Sequence, residues 1–238
     1  MSAIAEARAS TVSAQTPPRV DLYATIHKAL RLFMTDTLAR VGRLDIDDAR
    51  DVEAALHQLD GLLEICRRHL AHENEFVHTA IEARQPGLTS RIAAEHEEHL
   101  DAMAALGAEA SSLRATPTAA AAHRLYRHLA LFVAANLEHM NVEETAHNEA
   151  LWAHYDDAGL IDIEQRLVAS IDPQEMGTVL RWMAPAINPG ERAALFGAIA
   201  QTTPPEGMRD LFALVRPHLD DAAWAKLGRA MRAPSMVE

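Results

Sequence analysis

Apolar residues recur at three- and four-residue spacing through Leu22, Ile26, Leu30, Phe33 and Leu38 and stop near Gly42, the pattern of an amphipathic helix with one buried stripe. A second helical stretch opens at DIDDARD, where Asp47 or Asp48 can accept the free backbone N–H groups of a first turn, and runs to RQPG. The third starts at GLTS, with Thr89 or Ser90 as cap, and continues to about Leu113. The fourth follows TPT with Pro117 in its first turn, holds its period through Leu125, Leu129, Val133 and Leu137 to Trp152, and has Gly159 as its stop.

Short breaks between long helices force neighbours to run antiparallel, so residues 19–157 are expected to form an up-down-up-down four-helix bundle. Beyond it, IDPQE, INPGE and TTPPE give evenly spaced proline starts capped by Asp172, Asn188 and Thr203, and a further helix follows PHLDD. Residues 160–238 therefore read as a C-terminal extension of short helices, and residues 1–18 as a flexible arm.

Composition agrees with an all-α fold: alanine and leucine dominate, while glycine, β-branched and aromatic residues are few. The formal net charge of -12 excludes a phosphate backbone as a natural partner, leaving no nucleic acid to consider. Cys66 is the single cysteine, so the chain can form neither an internal disulfide nor a cysteine-based zinc site, which fits a reducing compartment. The N-terminus lacks a basic segment followed by an apolar core, and the longest apolar run, 129–137, is broken by Asn136 and falls short of the roughly 20 residues of a spanning helix. A soluble, cytoplasmic protein without membrane contact is the expectation.

Histidine changes the picture. Twelve of the 13 histidines lie between His27 and His154, which puts the chemistry in the first two-thirds of the chain. HLAHENEFVH and HMNVEETAHN each write H-x-x-x-E, and residues four apart share one helical face, so His69 with Glu73 and His139 with Glu143 can each aim a nitrogen and a carboxylate at one point. Taken alone, such a pair is usually a solvated intrahelical contact. The second copy argues otherwise, and so does depth: the midpoints between His27, His69, His96 and His139 fall within three residues of the turn signals DIDD, QPG and TPT, placing all four at nearly one level of an antiparallel bundle.

Four imidazoles and two carboxylates at one level can hold two cations, each carboxylate bridging both, with positions left open for a small ligand. Imidazole with bridging carboxylate and redox use favours iron, and helical bundles are a known home for such di-iron sites. IHKAL, RRHLAHENE, AEHEEHL and LEHMNVEE resemble the successive helices of the hemerythrin-like HHE cation-binding family over residues 19–157. The resemblance implies two iron ions held by His27, His69, Glu73, His96, His139 and Glu143, and binding or sensing of dioxygen, nitric oxide or peroxide. It also allows an enzyme that detoxifies peroxide or nitric oxide, or an iron donor in stress repair.

The chain departs from the oxygen-carrying hemerythrins. Their third helix carries a histidine pair four apart, whereas His96 and His99 are three apart, and their fourth-helix carboxylate is an aspartate five residues on. His99 is therefore an open fifth histidine. His72, His78 and His147 read as off the ligand line, and Glu75 and Glu144 as pointing away from it. Tyr23 and Tyr126 read as boundary residues or cavity lining, Met34, Met103 and Met140 as core filling, and Cys66 as a small buried hydrophobe. Ile26, Leu30, Phe132 and Val133 are expected to wall the site against water. No general acid or nucleophile stands out beside the cluster, which favours binding over dedicated catalysis. The C-terminal helices supply no catalytic set and read as a lid or a docking face for a protein partner.

Overall fold

A computed structural model describes residues 19–232, so the expected arm at 1–18 and the last residues of the extension lie outside the described residues. Among the described residues the chain is all-helical, with no strand. Four long helices come first: α1 (Ala24–Gly42), α2 (Ala49–His72), α3 (Ser90–Ala115) and α4 (Ala119–Val142). Both α2 and α4 run on through a π-helical segment, Glu73–His78 and Glu143–His147, into a last stretch of α-helix, Thr79–Glu82 and Asn148–His154. Five shorter helices follow: α5 (Asp157–Ser170), α6 (Pro173–Ala186), α7 (Pro189–Thr202), α8 (Pro205–Val215) and α9 (Asp221–Ala230).

The helix starts follow capping chemistry. Asp48 accepts from the backbone N–H of Arg50 at 2.8 Å, Asp172 from Gln174 and Glu175, and Asp220 from Ala223, each satisfying a donor that the first turn leaves free. Asn188 and Glu191 form a reciprocal capping box. Four expectations are corrected. Pro117 is not in the first turn of α4: Thr118 caps that helix by accepting from Ala121, so the proline precedes it. Gly159 does not end α4: that helix ends at His154, Tyr155 is extended, and Asp156 accepts from the N–H of Gly159 to start α5, a helix the proline pattern did not signal. Thr203 does not cap α8, whose start is set by Pro204 and Pro205 without a side-chain bond. Neither Thr89 nor Ser90 caps α3 through its side chain; the turn before it is closed by Glu82, which accepts from Gly87, from the N–H of Thr89 and from its hydroxyl, with Gly87 at φ +90° where a side chain would be strained.

The helix contacts form a cycle: α1 packs on α2 and α4, and α3 packs on the same two. Their shared core contains Leu30, Phe33, Leu56, Leu59, Leu62, Leu106, Leu113, Leu125, Leu129 and Phe132, all at most 4% exposed. Val179, Met183 and Ile187 of the extension belong to this same core, because α6 lies along α1 with the Trp182 ring stacked on Phe33 at 4.0 Å. Helices α7, α8 and α9 close on their own cluster around Phe196, Val215 and Leu227, whereas Leu160 of α5 packs with Tyr23, Val77, Ile81 and Leu151. No helix among the described residues is long and apolar enough to cross a membrane.

Candidate metal centre

His27 lies one turn into α1 and His96 two turns into α3, whereas His69 and His139 lie near the ends of α2 and α4. Starts of two helices and ends of two others thus meet at one place. All six residues singled out by sequence converge there, and five are at most 3% exposed; His69 is the more open, with 13% of its side chain accessible.

The two carboxylates face the imidazoles in a reciprocal way. Glu73 Oε1 lies 3.0 Å from His69 Nε2 and 3.5 Å from His27 Nε2, while its Oε2 lies 3.6 Å from His96 Nε2. Glu143 Oε1 lies 3.4 Å from His139 Nε2 and 3.7 Å from His96 Nε2, while its Oε2 lies 3.6 Å from His27 Nε2. One oxygen of each carboxylate therefore faces the His96/His139 pair, and the other oxygen faces His27, which adjoins His69. Both oxygens of both carboxylates, together with the Nε2 atoms of His27 and His69, are buried without a hydrogen bond. Burying such groups unpaired costs about 1–3 kcal/mol each, so the arrangement makes physical sense when something between them is bound. Donor atoms of Glu73, His96, His139 and Glu143 lie within 4.8 Å of one another, as do those of His27, His69 and Glu73, and each group could hold a metal ion.

The outward ring nitrogens are fixed by acceptors. His27 Nδ1–H donates to Glu144 at 3.0 Å, His139 Nδ1–H to Glu95 at 3.0 Å, and His96 Nδ1 bonds to Asn74 Oδ1 at 2.9 Å. A carboxylate cannot donate, so Nδ1 carries the proton in the first two and Nε2 presents its lone pair inward, the tautomer a metal needs. Glu144 is held in turn by both terminal nitrogens of Arg31. Glu144 does point away from the centre, as expected, but it acts on the centre through His27.

Without a metal the electrostatics favour a protonated His27. Burial opposes its charge, but the carboxylates of Glu144, Glu73 and Glu143 outweigh burial and lift its pKa from 6.5 to about 9. Burial likewise opposes the ionised Glu73, yet His69 and His27 hold its carboxyl well below the usual range. His99, by contrast, is pushed down to about 4 by burial and by its neighbours His139 and His96.

Next to the centre lies an apolar cavity of about 210 Å³. His69 and Glu73 form part of its wall, Ile26, Ile65 and Val77 another part, and Val179, Leu180 and Met183 of α6 close it. The extension is thus a wall of this cavity. His72 Nε2 and Arg68 both reach the buried Glu175 of α6, at 3.0 and 3.1 Å, and pin the two segments together beside the cavity.

His99 is buried, its ring 4.8 Å from that of His139, but it joins neither donor group. Leu30, Phe132 and Val133 are buried in the core and, against expectation, do not line the cavity, which Ile26 borders. Cys66 and Met34, Met103 and Met140 are buried core residues, and Tyr126 is on the surface against Gly42. Two expectations are corrected: His78 and His147 are 5% and 1% exposed, and their Nε2 atoms lie in the interior with a Glu143 oxygen, in a third group able to hold a metal. His147 could have been found by the rule that found Glu143, since it lies four residues further on. His78, five residues after Glu73, falls off the line of a regular α-helix and comes back to it only because the π segment takes in an additional residue per turn.

No protein-family model, curated protein or solved structure matches this chain. The assignment of the centre therefore rests on its own donor atoms.

Proposed function

We propose that the chain is a hemerythrin-like, non-haem di-iron protein, its first four helices an up-down-up-down bundle, that binds or senses dioxygen, nitric oxide or peroxide. The carrying observation is the reciprocal placement of Glu73 and Glu143, whose four buried oxygens make no hydrogen bond and divide themselves between imidazoles on opposite sides. His27 and His69 would hold one iron, His96 and His139 the other, with both carboxylates shared. When bound, such a pair supplies redox-active iron with positions open to a small ligand. The chain's own residues do the rest. Glu144, Glu95 and Asn74 orient the imidazoles, and the apolar cavity beside His69 and Glu73 admits a small uncharged molecule while disfavouring water.

Turnover of peroxide or nitric oxide and release of iron are the competing functions for the same centre. The test is metal analysis of the purified chain with optical spectra before and after reduction and exposure to each ligand. Two irons per chain and a reversible spectral change with dioxygen or nitric oxide are expected. Sustained consumption of ligand moves the reading to an enzyme, loss of iron to a mild chelator moves it to a donor, and a metal-free chain with unaltered folding removes the proposal.

A further inference from the structure

His78 and His147 add a feature that a two-ion centre leaves unused. Each stands at the end of a π-helical segment that opens on one of the two shared carboxylates, Glu73–His78 in one case and Glu143–His147 in the other. Segments of this kind are rare and concentrate at functional sites. Here they project a second imidazole from each helix into the interior, a turn beyond the carboxylate.

His147 carries the orientation seen at the other ring nitrogens. Its Nδ1 lies 3.2 Å from the hydroxyl of the buried Tyr23, as those of His27, His96 and His139 lie against oxygens, and its Nε2 points inward without a partner. His78 is held by stacking on His96, rings 5.0 Å apart and 10° from parallel, and its Nε2 is also buried and unpartnered. The rings of His78 and His147 meet edge-on at 5.3 Å. Ligand atoms of His78, His147 and Glu143 lie within 4.8 Å of one another, and this group shares with the first two only the one carboxylate. Two interior imidazole nitrogens without a partner are costly as packing, and apolar side chains of the same bulk would fill the space without that cost.

We propose that His78, His147 and Glu143 form a third divalent-cation subsite adjoining the iron pair. Two imidazoles and one carboxylate oxygen suit a borderline first-row ion such as Fe²⁺, Co²⁺ or Zn²⁺, not Mg²⁺ or Ca²⁺, which take oxygen donors. Three protein donors leave a further position for water or a ligand, as in open metal sites. The inference rests on the di-iron reading, because Glu143 is shared with that pair.

The test is anaerobic titration of the metal-stripped full chain with Co²⁺, read by visible absorbance and by cobalt content after desalting, with helical content checked by circular dichroism. Wild type is expected to hold three cobalt ions, and His78→Ala and His147→Ala two each. His147→Gln, which keeps a polar group of similar reach, serves if the alanine variant loses helical content, and two ions are again expected. Glu73→Gln, which touches only the pair, should keep the third ion and lose at least one other. Two ions in both wild type and the His147 variants overturn the third subsite and leave the pair standing; three ions in those variants, or a drop from two to one, also overturn it. No bound cobalt in wild type removes both readings.

Discussion

Removing the metal should make this chain's stability fall with rising pH, where that of the loaded chain stays level. In the metal-free protein His27 is raised from 6.5 to about 9, so its protonated form adds stability that is fully present below pH 6.5 and is lost as pH rises through 9. At 1.36 kcal/mol per unit, that loss is about 3 kcal/mol, which for a chain of this length lowers the melting temperature by roughly 10 °C. His78 and His99, pushed down to about 4, work in the opposite sense and below this window: their contribution is present above 6.5 and disappears as pH falls toward 4.

With the centre loaded, the cation takes the place of that proton, so binding strengthens by roughly 300-fold over the same window. The gap between loaded and metal-free melting temperatures should therefore widen by roughly 10 °C from pH 6.5 to 9. Calorimetry of the chain stripped by chelation and of the chain preloaded with zinc, which has no redox chemistry, measures both curves. His27→Gln is the control and should flatten the metal-free curve. An equal slope in His27→Gln, or a gap that narrows with pH, refutes the argument that proton and cation compete for one place.

Three further outcomes follow from individual contacts. Glu144→Gln removes the charge that orients His27 and should weaken metal binding about 10- to 100-fold in a chelator competition, with the ion count unchanged at saturation. Trp182→Ala deletes the ring stacked on Phe33 and should cost about 3 kcal/mol in urea unfolding; a loss under 1 kcal/mol would mean that α6 is not anchored there. Burial pushes the Cys66 thiol up to about 12 from 9, which cuts its thiolate fraction about 1,000-fold, so iodoacetamide at pH 8 should label it only after unfolding.

What could be read from sequence divides along the physics of a single helix. His69 with Glu73 and His139 with Glu143 were legible because an α-helix returns to one face after four residues. His27 and His96 were legible because antiparallel depth follows from turn positions. His78 was hidden by the π segment, whose bonding pattern depends on the packed interior and not on local spacing. His147 lies four residues past Glu143 and obeys the same readable rule, although it reads as off the ligand line. Asn74, Glu95 and Glu144, which fix the imidazoles, lie next in sequence to Glu73, His96 and Glu143, yet their partners are on other helices, and spacing within one helix carries no such information. Helix α5 was missed because Gly159 resembles a terminator, whereas the cap that matters is Asp156 just before it. The extension's proline starts were visible, but its packing along α1 depends on the match of Trp182 to Phe33 across the interface.

The centre also raises an energetic question that its two charge states answer together. Ionised carboxylates in a protein interior are expensive unless compensated, and breaking a buried pair typically costs 3–5 kcal/mol. Glu73 and Glu143 are fully enclosed, with donor oxygens within 4.8 Å of one another, at which distance two like charges repel by about 3 kcal/mol at an effective dielectric near 20. In the metal-free chain the compensating charge is the proton on His27, backed by Glu144 and Arg31. In a loaded chain it would be the cations. Positive charge between the same carboxylates is supplied by a proton in one state and would be supplied by metal in the other, so a cation that binds here has to displace that proton.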